Sequence, residues 1–343
     1  MKKNLLLSLV SFWLCCVAAN ADDVILQDGH PDHHVVVKGD TLWDISESFL
    51  RDPWLWPEVW QVNPQIANPH LIYPGDRINL VYLDGKPRLR VKRGPMGNTV
   101  KLTPKMRLSA TDGAIPTIPL EKINAFLSRS RIVQNGELEA APYALAGGQR
   151  HLITGAGDDL YARGAFTEGE TVYGIYRRGQ TFIDPDTKEF LGLEATDIGT
   201  GKLTDLERDL GTLSITRSNE EIRNKDRLLP YKERKITATF QPSEPDSEID
   251  GYIVAVEGGV TQIGFMDIVA LNKGERDGLK EGNVLAIDRA GEVVRDQIQN
   301  DLVRLPDVRA GLLMVFRTYE KMSYGLVLRA TQPLAVMDRI RNP

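Results

Sequence analysis

The sequence predicts an α+β N-terminal module of the order strand, helix, helix, strand, followed by a mainly-β region with a weak internal duplication. Helix-start signals and helical spacing of apolar residues are concentrated between residues 34 and 82. From Asp84 onward glycine and proline come often, apolar runs are short, and long helical periodicity is scarce. Three short blocks then recur in the same order at a separation of about 112 to 119 residues.

Residues 1–21 are predicted to be a secretory signal peptide. Lys2 and Lys3 precede the apolar stretch from Leu5 to Val17, and Ala19-Asn20-Ala21 is a small-residue cleavage pattern. The apolar part is shorter than the roughly 20 residues that span a bilayer. We therefore expect cleavage after Ala21 and export to the periplasm, with residues 22–33 as a flexible N-terminus.

Both cysteines, Cys15 and Cys16, lie in this leader. A lipoprotein anchor at Cys16 is disfavoured, because Cys15 occupies the preceding position, where a small residue is expected. A chain cleaved after Ala21 has no thiol, which excludes disulfides, thiolate metal sites and cysteine nucleophiles. It keeps 40 basic and 47 acidic residues, a net charge of −7 without a basic cluster, so neither nucleic acid nor anionic lipid is expected as a partner.

The N-terminal module is predicted at residues 34–82. An apolar strand, His34 to Val37, precedes a helix whose start is marked by Thr41 and Asp44 in the spacing of a capping box. Apolar residues then recur at helical spacing. The strand Arg77 to Leu80 closes the module after a Pro-Gly turn.

The stretch "DPWLWPEVW" at residues 52–60 contains three of the five tryptophans in the chain. Trp43 and Trp60 fall on predicted helices and are expected in the core, because a domain of about 50 residues needs large side chains to bury enough surface. Trp54 and Trp56 are flanked by prolines. Two alternatives stay open for them: a lid on the core, or a surface that stacks on a sugar or binds a partner.

The stretches "VVVKGDTLWDIS" and "NPQIANPHLIYPGDRINL" resemble the LysM module, a small βααβ domain that binds the N-acetylglucosamine units of peptidoglycan or chitin. The resemblance implies a shallow groove between the turn Gly39 to Leu42 and the loop Ile66 to Ile72, where acetamido groups are hydrogen-bonded. For these residues the alternative is a purely structural role in capping and core packing. The implied glycan-binding residues are Gly39, Asp40, Thr41, Leu42, Ile66, Asn68, Leu71 and Ile72. Trp54 and Trp56 are candidate aromatic contacts from the connection between the helices, which is longer than in many LysM modules.

The segment His30-Pro31-Asp32-His33-His34 contains residue types that ligate metals. We interpret it as a solvated tail before the first strand, because the sequence offers no second ligand cluster. No metal and no cofactor are predicted.

The remainder is divided into a connecting β-rich region at 83–160 and two β-rich repeats at 161–240 and 241–343. The block "EGETVYGIYRRG" from Glu168 matches "EGNVLAIDRAG" from Glu281, and two further blocks follow in each copy. Both copies end in Asp-Arg, at Asp226-Arg227 and Asp338-Arg339, which we expect to clamp a turn. A short helix is predicted from Leu120 to Leu127, and strands at Val100 to Leu102, Thr171 to Tyr176, Gly211 to Thr216, Lys235 to Phe240, Tyr252 to Val256, Val284 to Ile287, Leu312 to Arg317 and Tyr324 to Arg329.

Catalytic motifs are scarce in this remainder. Zinc peptidases need several histidines and serine triads need one in the correct place, but His151 is the only histidine after the N-terminal module. No Gly-x-Ser-x-Gly motif is present. Aspartate and glutamate are numerous enough to supply the carboxylate pair of a glycoside hydrolase, so a LysM-targeted peptidoglycan hydrolase stays an alternative. The expectation is that the protein is not an enzyme.

Over nearly all of the predicted mature chain, the module together with "AIPTIPLEKINAFLSR" and "APYALAGGQRHLITGAGDDLYARG" is similar to the type IV pilus secretin-associated LysM proteins (TsaP-like). This resemblance implies a non-catalytic periplasmic anchor that binds peptidoglycan and the outer-membrane secretin, in several copies around the ring. Exposed edge strands of the repeats are the expected partner surface. The alternative is a generic cell-wall-binding protein without a link to pili.

Overall fold

The computed structural model describes residues 24–60, 72–93, 118, 123–126, 130–148, 154–231, 240–259, 262–291 and 293–343. The predicted signal peptide, the strand at Val100 to Leu102 and most of the strand at Lys235 to Phe240 lie outside these ranges. Of the predicted helix from Leu120 to Leu127, the structure describes residues 123–126, which are helical. Within the described ranges, no helix combines the length and the apolar character that a membrane crossing requires.

The N-terminal module has the predicted order of strand, two helices and strand. Strands β1 and β2 form an antiparallel sheet with an unpredicted third strand, β3, which follows β2 through the two-residue turn Asp84-Gly85. Both turn residues have positive φ, 52° and 77°, as this hairpin type requires. The sheet therefore extends beyond the predicted boundary at residue 82. The elements are β1 (His33–Val35), α1 (Leu42–Phe49), a 3-10 turn (Pro53–Leu55), α2 (Trp56–Trp60), β2 (Arg77–Leu83) and β3 (Lys86–Lys92).

The segment before β1 is part of this module and not a flexible tail. The backbone N–H of Gln27 donates to the carbonyl of Phe49 at 2.9 Å, and that of Arg51 donates to Ile25 at 3.0 Å. Val24 and Leu26 pack against the core of the module. The carbonyl of Asp32 also accepts the N–H of Leu80 at 3.0 Å. The expectation of a flexible N-terminus at 22–33 is thus wrong for residues 24–33, because this packing and these backbone hydrogen bonds fix the segment at both ends.

The middle of the chain folds as a ring of six strands. The hydrogen-bonded order is β5-β6-β9-β8-β7-β10, and β10 also pairs with β5, so the ring is closed. Strand β8 is 18 residues long and pairs with β4 through its first half and with β9 through its second. The elements are β4 (Ser130–Val133), α3 (Glu137–Ala140), β5 (Tyr143–Gly147), β6 (Asp159–Arg163), β7 (Val172–Ile183), β8 (Phe190–Glu207), β9 (Leu210–Ser218) and β10 (Arg227–Pro230).

The C-terminal part forms a second closed barrel of six strands in the order β11-β13-β18-β17-β14-β20. Two short pairs, β12 with β19 and β15 with β16, lie outside the ring. The strands are β11 (Asp250–Val256), β12 (Gln262–Ile263), β13 (Ile268–Leu271), β14 (Val284–Arg289), β15 (Val293–Arg295), β16 (Leu302–Arg304), β17 (Val308–Thr318), β18 (Ser323–Ala330), β19 (Leu334–Ala335) and β20 (Arg339–Arg341), with 3-10 turns at Glu257–Gly259 and Glu275–Asp277.

The two barrels have the same topology, which confirms the predicted duplication. When the six strands of each ring are numbered in chain order, the same pairs are hydrogen-bonded in both rings: first with second, second with fifth, fifth with fourth, fourth with third, third with sixth, and sixth with first. The repeated blocks fall on equivalent strands, with Val172 at the start of β7 and Val284 at the start of β14. The first repeat, however, begins with β5 at Tyr143. The predicted boundary at residue 161 would divide β6. It lies too late in the chain because β5 and β6 lack the sequence match that marks the later strands.

Of the repeated Asp-Arg pairs, the aspartates stabilise equivalent turns, as expected, whereas Arg227 donates to the carbonyl of Glu139 and Arg339 to the carboxylate of Asp250. The carboxylate of Asp226 accepts the backbone N–H of Arg223 at 2.8 Å, and that of Asp338 accepts the N–H of Ala335 at 2.8 Å. Arg177 of β7 adds a two-pronged contact to Asp226, at 3.0 and 2.9 Å. Burial raises the pKa of Asp338 above its usual range.

A shared hydrophobic core joins the module and both barrels. The second barrel has its own interior, with Ile253, Leu285 and Val327 among its members. Its strands β14 and β17 are also buried on their outer faces, which would be exposed to solvent in an isolated small barrel. That outer surface is covered by residues from every other part of the chain: Trp43 and Trp54 of the N-terminal module, Ile118, Ile123 and Phe126 of the connection, Ile132, Phe182 and Leu191 of the first-barrel region, and Phe240.

Polar contacts also link the two barrels. Asn272 donates to the carboxylate of Asp184 at 2.8 Å in a buried position. Glu189, on the turn between β7 and β8, accepts two hydrogen bonds from Arg276 at 3.0 and 2.8 Å. Its carboxylate also lies 2.7 Å from the ammonium of Lys321. Arg276 and Lys321 lower the pKa of Glu189 to about 2.

Replacement of Glu189 by glutamine is expected to make the junction less sensitive to acid. A depressed carboxyl pKa in the folded state contributes stability that is present above pH about 4.5 and is lost as the pH falls toward about 2. The thermal midpoint of the wild type should therefore exceed that of the variant at pH 6, and the difference should be largely lost as the pH falls to about 2. If the thermal midpoints of wild type and variant differed by the same amount at pH 6 and at pH 2, this role of Glu189 would be contradicted.

Candidate glycan-binding site

The turn between β1 and α1 lies beside the turn that precedes β2. Backbone hydrogen bonds connect them: Val36 N–H donates to the carbonyl of Asp76 at 2.9 Å, and Gly75 N–H donates to Val36 at 2.8 Å. Gly39 has φ +102°, a conformation that favours glycine, and it is exposed. The chain just before Gly39 and the turn just after Ile72 are therefore neighbours in space, whereas the predicted loop from Ile66 to Leu71 lies outside the described residues.

Asp40 fixes the shape of this turn. One of its carboxylate oxygens accepts the backbone N–H of Val37 at 2.9 Å and lies 2.8 Å from Nε2 of His34. The Asp40 side chain retains 17% exposure. Asp40 is thus a positioning residue of the turn that still reaches solvent.

Thr41 has the capping role that the sequence predicts. Its hydroxyl accepts the backbone N–H of Asp44 at 3.1 Å, and the Asp44 carboxylate accepts the N–H of Thr41 at 3.1 Å. Thr41 is only 3% exposed. Its hydroxyl therefore serves helix α1 rather than a sugar.

Replacement of Thr41 by alanine is expected to lower the free energy of unfolding of the N-terminal module by about 0.5–2 kcal/mol, because one backbone donor loses its cap. Serine at this position keeps the hydroxyl and should preserve most of the stability. Apart from Trp13, every tryptophan lies between residues 43 and 60, so urea unfolding followed by tryptophan fluorescence reports on this module. Equal midpoints for the alanine and serine variants would contradict the capping role.

Leu42 and Ile72 belong to the core of the module. They are 1% and 0% exposed, and both pack in one cluster with Ile45, Phe49 and Ile78. The structure therefore favours the core-packing alternative for these two residues. Ile66, Asn68 and Leu71 lie outside the described residues, so their place in the groove stays a prediction.

Trp54 and Trp56 are buried and do not form an aromatic surface. Trp56 is 1% exposed and packs edge-on against Trp60, with ring centroids 6.2 Å apart. Trp54 is 6% exposed and joins Trp43 in the core shared with the barrels. Their assignment as aromatic glycan contacts is corrected accordingly, because Trp56 fills the module and Trp54 fills its interface with the rest of the chain.

Tyr73 and Arg93 lie near the predicted groove and were not among the predicted site residues. Arg93, just after β3, donates to the carboxylate of Asp76 at 2.6 Å and lies over the ring of Tyr73 at 5.4 Å. This contact supports the turn Tyr73 to Asp76, next to the predicted groove. The sequence signal for β3, and so for the position of Arg93, is the Asp84-Gly85 pair followed by alternating polar and apolar residues, which predicts a hairpin.

Among the described residues, no group of three or more histidine, aspartate, glutamate or cysteine side chains is arranged to hold a metal ion. His34 of the N-terminal histidine cluster is engaged with Asp40 instead.

Comparison with known proteins agrees with this geometry. Residues 34–81 match the family model of the LysM domain. A segment of 60 residues is 35% identical to an uncharacterized protein, YqbP, of Bacillus subtilis (strain 168). That similarity covers 15% of this chain and 27% of YqbP, so the chain spans about a quarter of the curated relative that it matches. Residues 34–81 are therefore a LysM domain, which supports the binding of peptidoglycan carbohydrate.

Proposed function

We propose that the protein is a non-catalytic periplasmic anchor that binds peptidoglycan glycan through its LysM domain and the outer-membrane secretin of the type IV pilus through its barrels. The observation that carries the first half is the LysM match at residues 34–81. The adjacent turns at Gly39 to Leu42 and Ile72 to Asp76 supply the frame of the groove. Exposed backbone groups there would hydrogen-bond the acetamido groups of N-acetylglucosamine.

The second half concerns the barrels and is supported by a surface that they leave open. Because both rings are closed, strand addition at the edges of the repeats is restricted to strands outside the rings. The hairpin of β15 and β16 is such a pair, and its apolar residues are exposed: Val293 by 61%, Ile298 by 94% and Leu302 by 72%. A two-stranded hairpin with exposed apolar side chains is suited to a protein partner.

Several weak LysM contacts around one secretin ring would hold firmly through multivalency, because tethering raises the effective concentration of each module at the cell wall. The rigid core shared by the module and the barrels suits this arrangement, since a fixed body transmits load between the two attachments.

Binding to peptidoglycan sacculi tests the first half. The full chain should sediment with purified sacculi, and the double variant Asp40→Asn with Asn68→Ala should bind more weakly. Asp32→Asn, an exposed acid before β1, serves as the control and should bind like the wild type. Unchanged binding of the double variant would refute the groove assignment.

Co-purification with the secretin multimer tests the second half. The secretin should be captured by the wild type, and capture should fall in Ile298→Ser with Leu302→Ser. If the wild type binds sacculi but captures no secretin, the generic cell-wall role is the correct one. Glycan cleavage in zymograms would instead establish a hydrolase.

A further inference from the structure

The LysM sheet has a basic face on the side away from the module core. Ile78 and Leu89 point to the core and are 0% exposed. On the opposite face the cross-strand rows are His33 with Asn79 and Arg90, Val35 with Arg77 and Lys92, and Val81 with Arg88. We refer to Arg77, Lys86, Arg88, Arg90 and Lys92 as the basic face.

Strand β3 supplies most of this charge. Lys86, Arg88, Arg90 and Lys92 alternate with Pro87, Leu89 and Val91, so a strand places all four cations on one side. Lys86, Arg90 and Lys92 are exposed and Arg88 is half-buried. The expectation that the chain has no basic cluster is therefore wrong at this strand, because a period of two distributes the charges along the sequence and collects them in the fold.

Among the described residues of the module, no acidic side chain is paired with the basic face. Strands β1, β2 and β3 contain no aspartate or glutamate. Arg77 lies directly opposite Lys92, a like-charge cross-strand pair that is unfavourable without an anion. Arg88 donates to the backbone carbonyl of Glu58 at 2.6 Å. Within the described residues, no carboxylate forms an ion pair with Arg77, Arg90 or Lys92.

The position of this face relates it to the proposed groove. Arg77 directly follows Asp76, whose carbonyl is bonded to Val36 in the groove frame. Lys92 is the last residue of β3 and precedes Arg93, which holds Asp76. Successive cations of β3 are about 7 Å apart along the strand. The result is a line of positive charge that starts at the groove and leads away from it.

We propose that the basic face binds the free carboxylates of the peptide stems that branch from the peptidoglycan glycan strand. This inference rests on the proposed binding of glycan in the groove. A stem attached to a glycan in the groove begins beside Arg77 and Lys92, and its carboxylates follow the line of cations. An anionic membrane fits less well, because the tip of the β2–β3 hairpin carries Asp84, and the cations lie along the strand rather than around the tip.

The test compares the full chain with the variant Arg90→Gln, Lys92→Gln on three surfaces: intact sacculi, chitin, and phosphatidylglycerol vesicles. Chitin presents N-acetylglucosamine without peptide or charge. The control is Arg295→Gln with Arg304→Gln, which removes the same charge from the exposed hairpin of β15 and β16. A second variant, Arg90→Lys with Lys92→Arg, retains the charge.

The Arg90→Gln, Lys92→Gln variant should bind intact sacculi roughly two- to thirtyfold more weakly at low salt, since two exposed charge contacts are lost. Its binding to chitin should be unchanged. The charge-retaining variant and the hairpin control should match the wild type on sacculi. Sacculi whose stem carboxylates are amidated should bind the wild type as weakly as intact sacculi bind the variant.

Each remaining outcome overturns the inference in a distinguishable way. Equal binding of wild type and variant to intact sacculi would exclude the basic face while leaving the groove in place. A loss on vesicles without a loss on sacculi would assign the face to a membrane. Failure of the wild type to bind either sacculi or chitin would refute the proposed function itself, and the inference with it.

Discussion

Replacement of Trp56 by alanine is expected to unfold the LysM domain while both barrels stay folded. Trp56 is 1% exposed and contacts Trp60 within the core of the module. Removal of a buried tryptophan side chain costs about 3–5 kcal/mol. A domain of about 60 residues has a total stability of roughly 3–9 kcal/mol, so the loss is comparable to the whole. We therefore expect sacculus binding to disappear.

The measurement combines two signals. Fluorescence of the remaining tryptophans should report an unfolded module, because all of them lie between residues 43 and 60 once the leader is set aside. Far-ultraviolet circular dichroism should keep the β signal of the barrels. Trp56→Phe, which preserves an aromatic ring in the same cavity, is the control and should retain both folding and binding. A Trp56→Ala protein that still bound sacculi would show that the core of the module tolerates this cavity.

Local signals in the sequence were sufficient to predict the elements of the LysM domain. Thr41 and Asp44 define the start of α1 because a capping box depends on only four residues. The duplication was also predictable from the sequence, and the blocks that begin near Val172 and Val284 occupy equivalent strands of two rings with the same topology. Both predictions depend on short stretches whose residues interact with near neighbours in the chain.

Features that depend on distant parts of the chain were not predicted. The 18-residue strand β8 has one half paired with β4 and the other with β9, so no single pattern of alternation describes it. Similarly, the basic side chains of β3 acquire a common direction only through the strand conformation. In the candidate site, the sequence allowed Leu42 and Ile72 to be either core or groove residues. Their burial in the structure favours the core.

The tryptophans show this limit most directly. Trp43 and Trp56 are 13 positions apart and equally buried, at 1% exposure each. Trp56 packs within the LysM domain, whereas Trp43 packs in the core that also contains Phe316 and Leu326 of the second barrel. Nothing local distinguishes these environments, because Phe316 and Leu326 of the Trp43 cluster lie more than 250 residues away in the sequence.

Replacement of Trp43 by alanine is consequently expected to separate the LysM domain from the barrels without unfolding it. The cost of about 3–5 kcal/mol falls on the shared core, since Trp43 contributes to that cluster and not to the interior of the module. Calorimetry should show one cooperative transition for the wild type and two for the variant, with the LysM domain melting independently. Trp43→Phe, which keeps much of the contact, should behave like the wild type.

This outcome has a functional consequence that separates Trp43 from Trp56. A module released from the barrels still contains its own core and its groove frame, so Trp43→Ala should bind sacculi while Trp56→Ala should not. The ion pair between Glu47 of α1 and Arg329 of β18, at 3.4 Å, is partly open to solvent and too weak to hold the two parts together alone. A single unshifted transition in Trp43→Ala would mean that the remaining contacts of the shared core suffice, and that rigid transmission of load between wall and partner does not depend on this tryptophan.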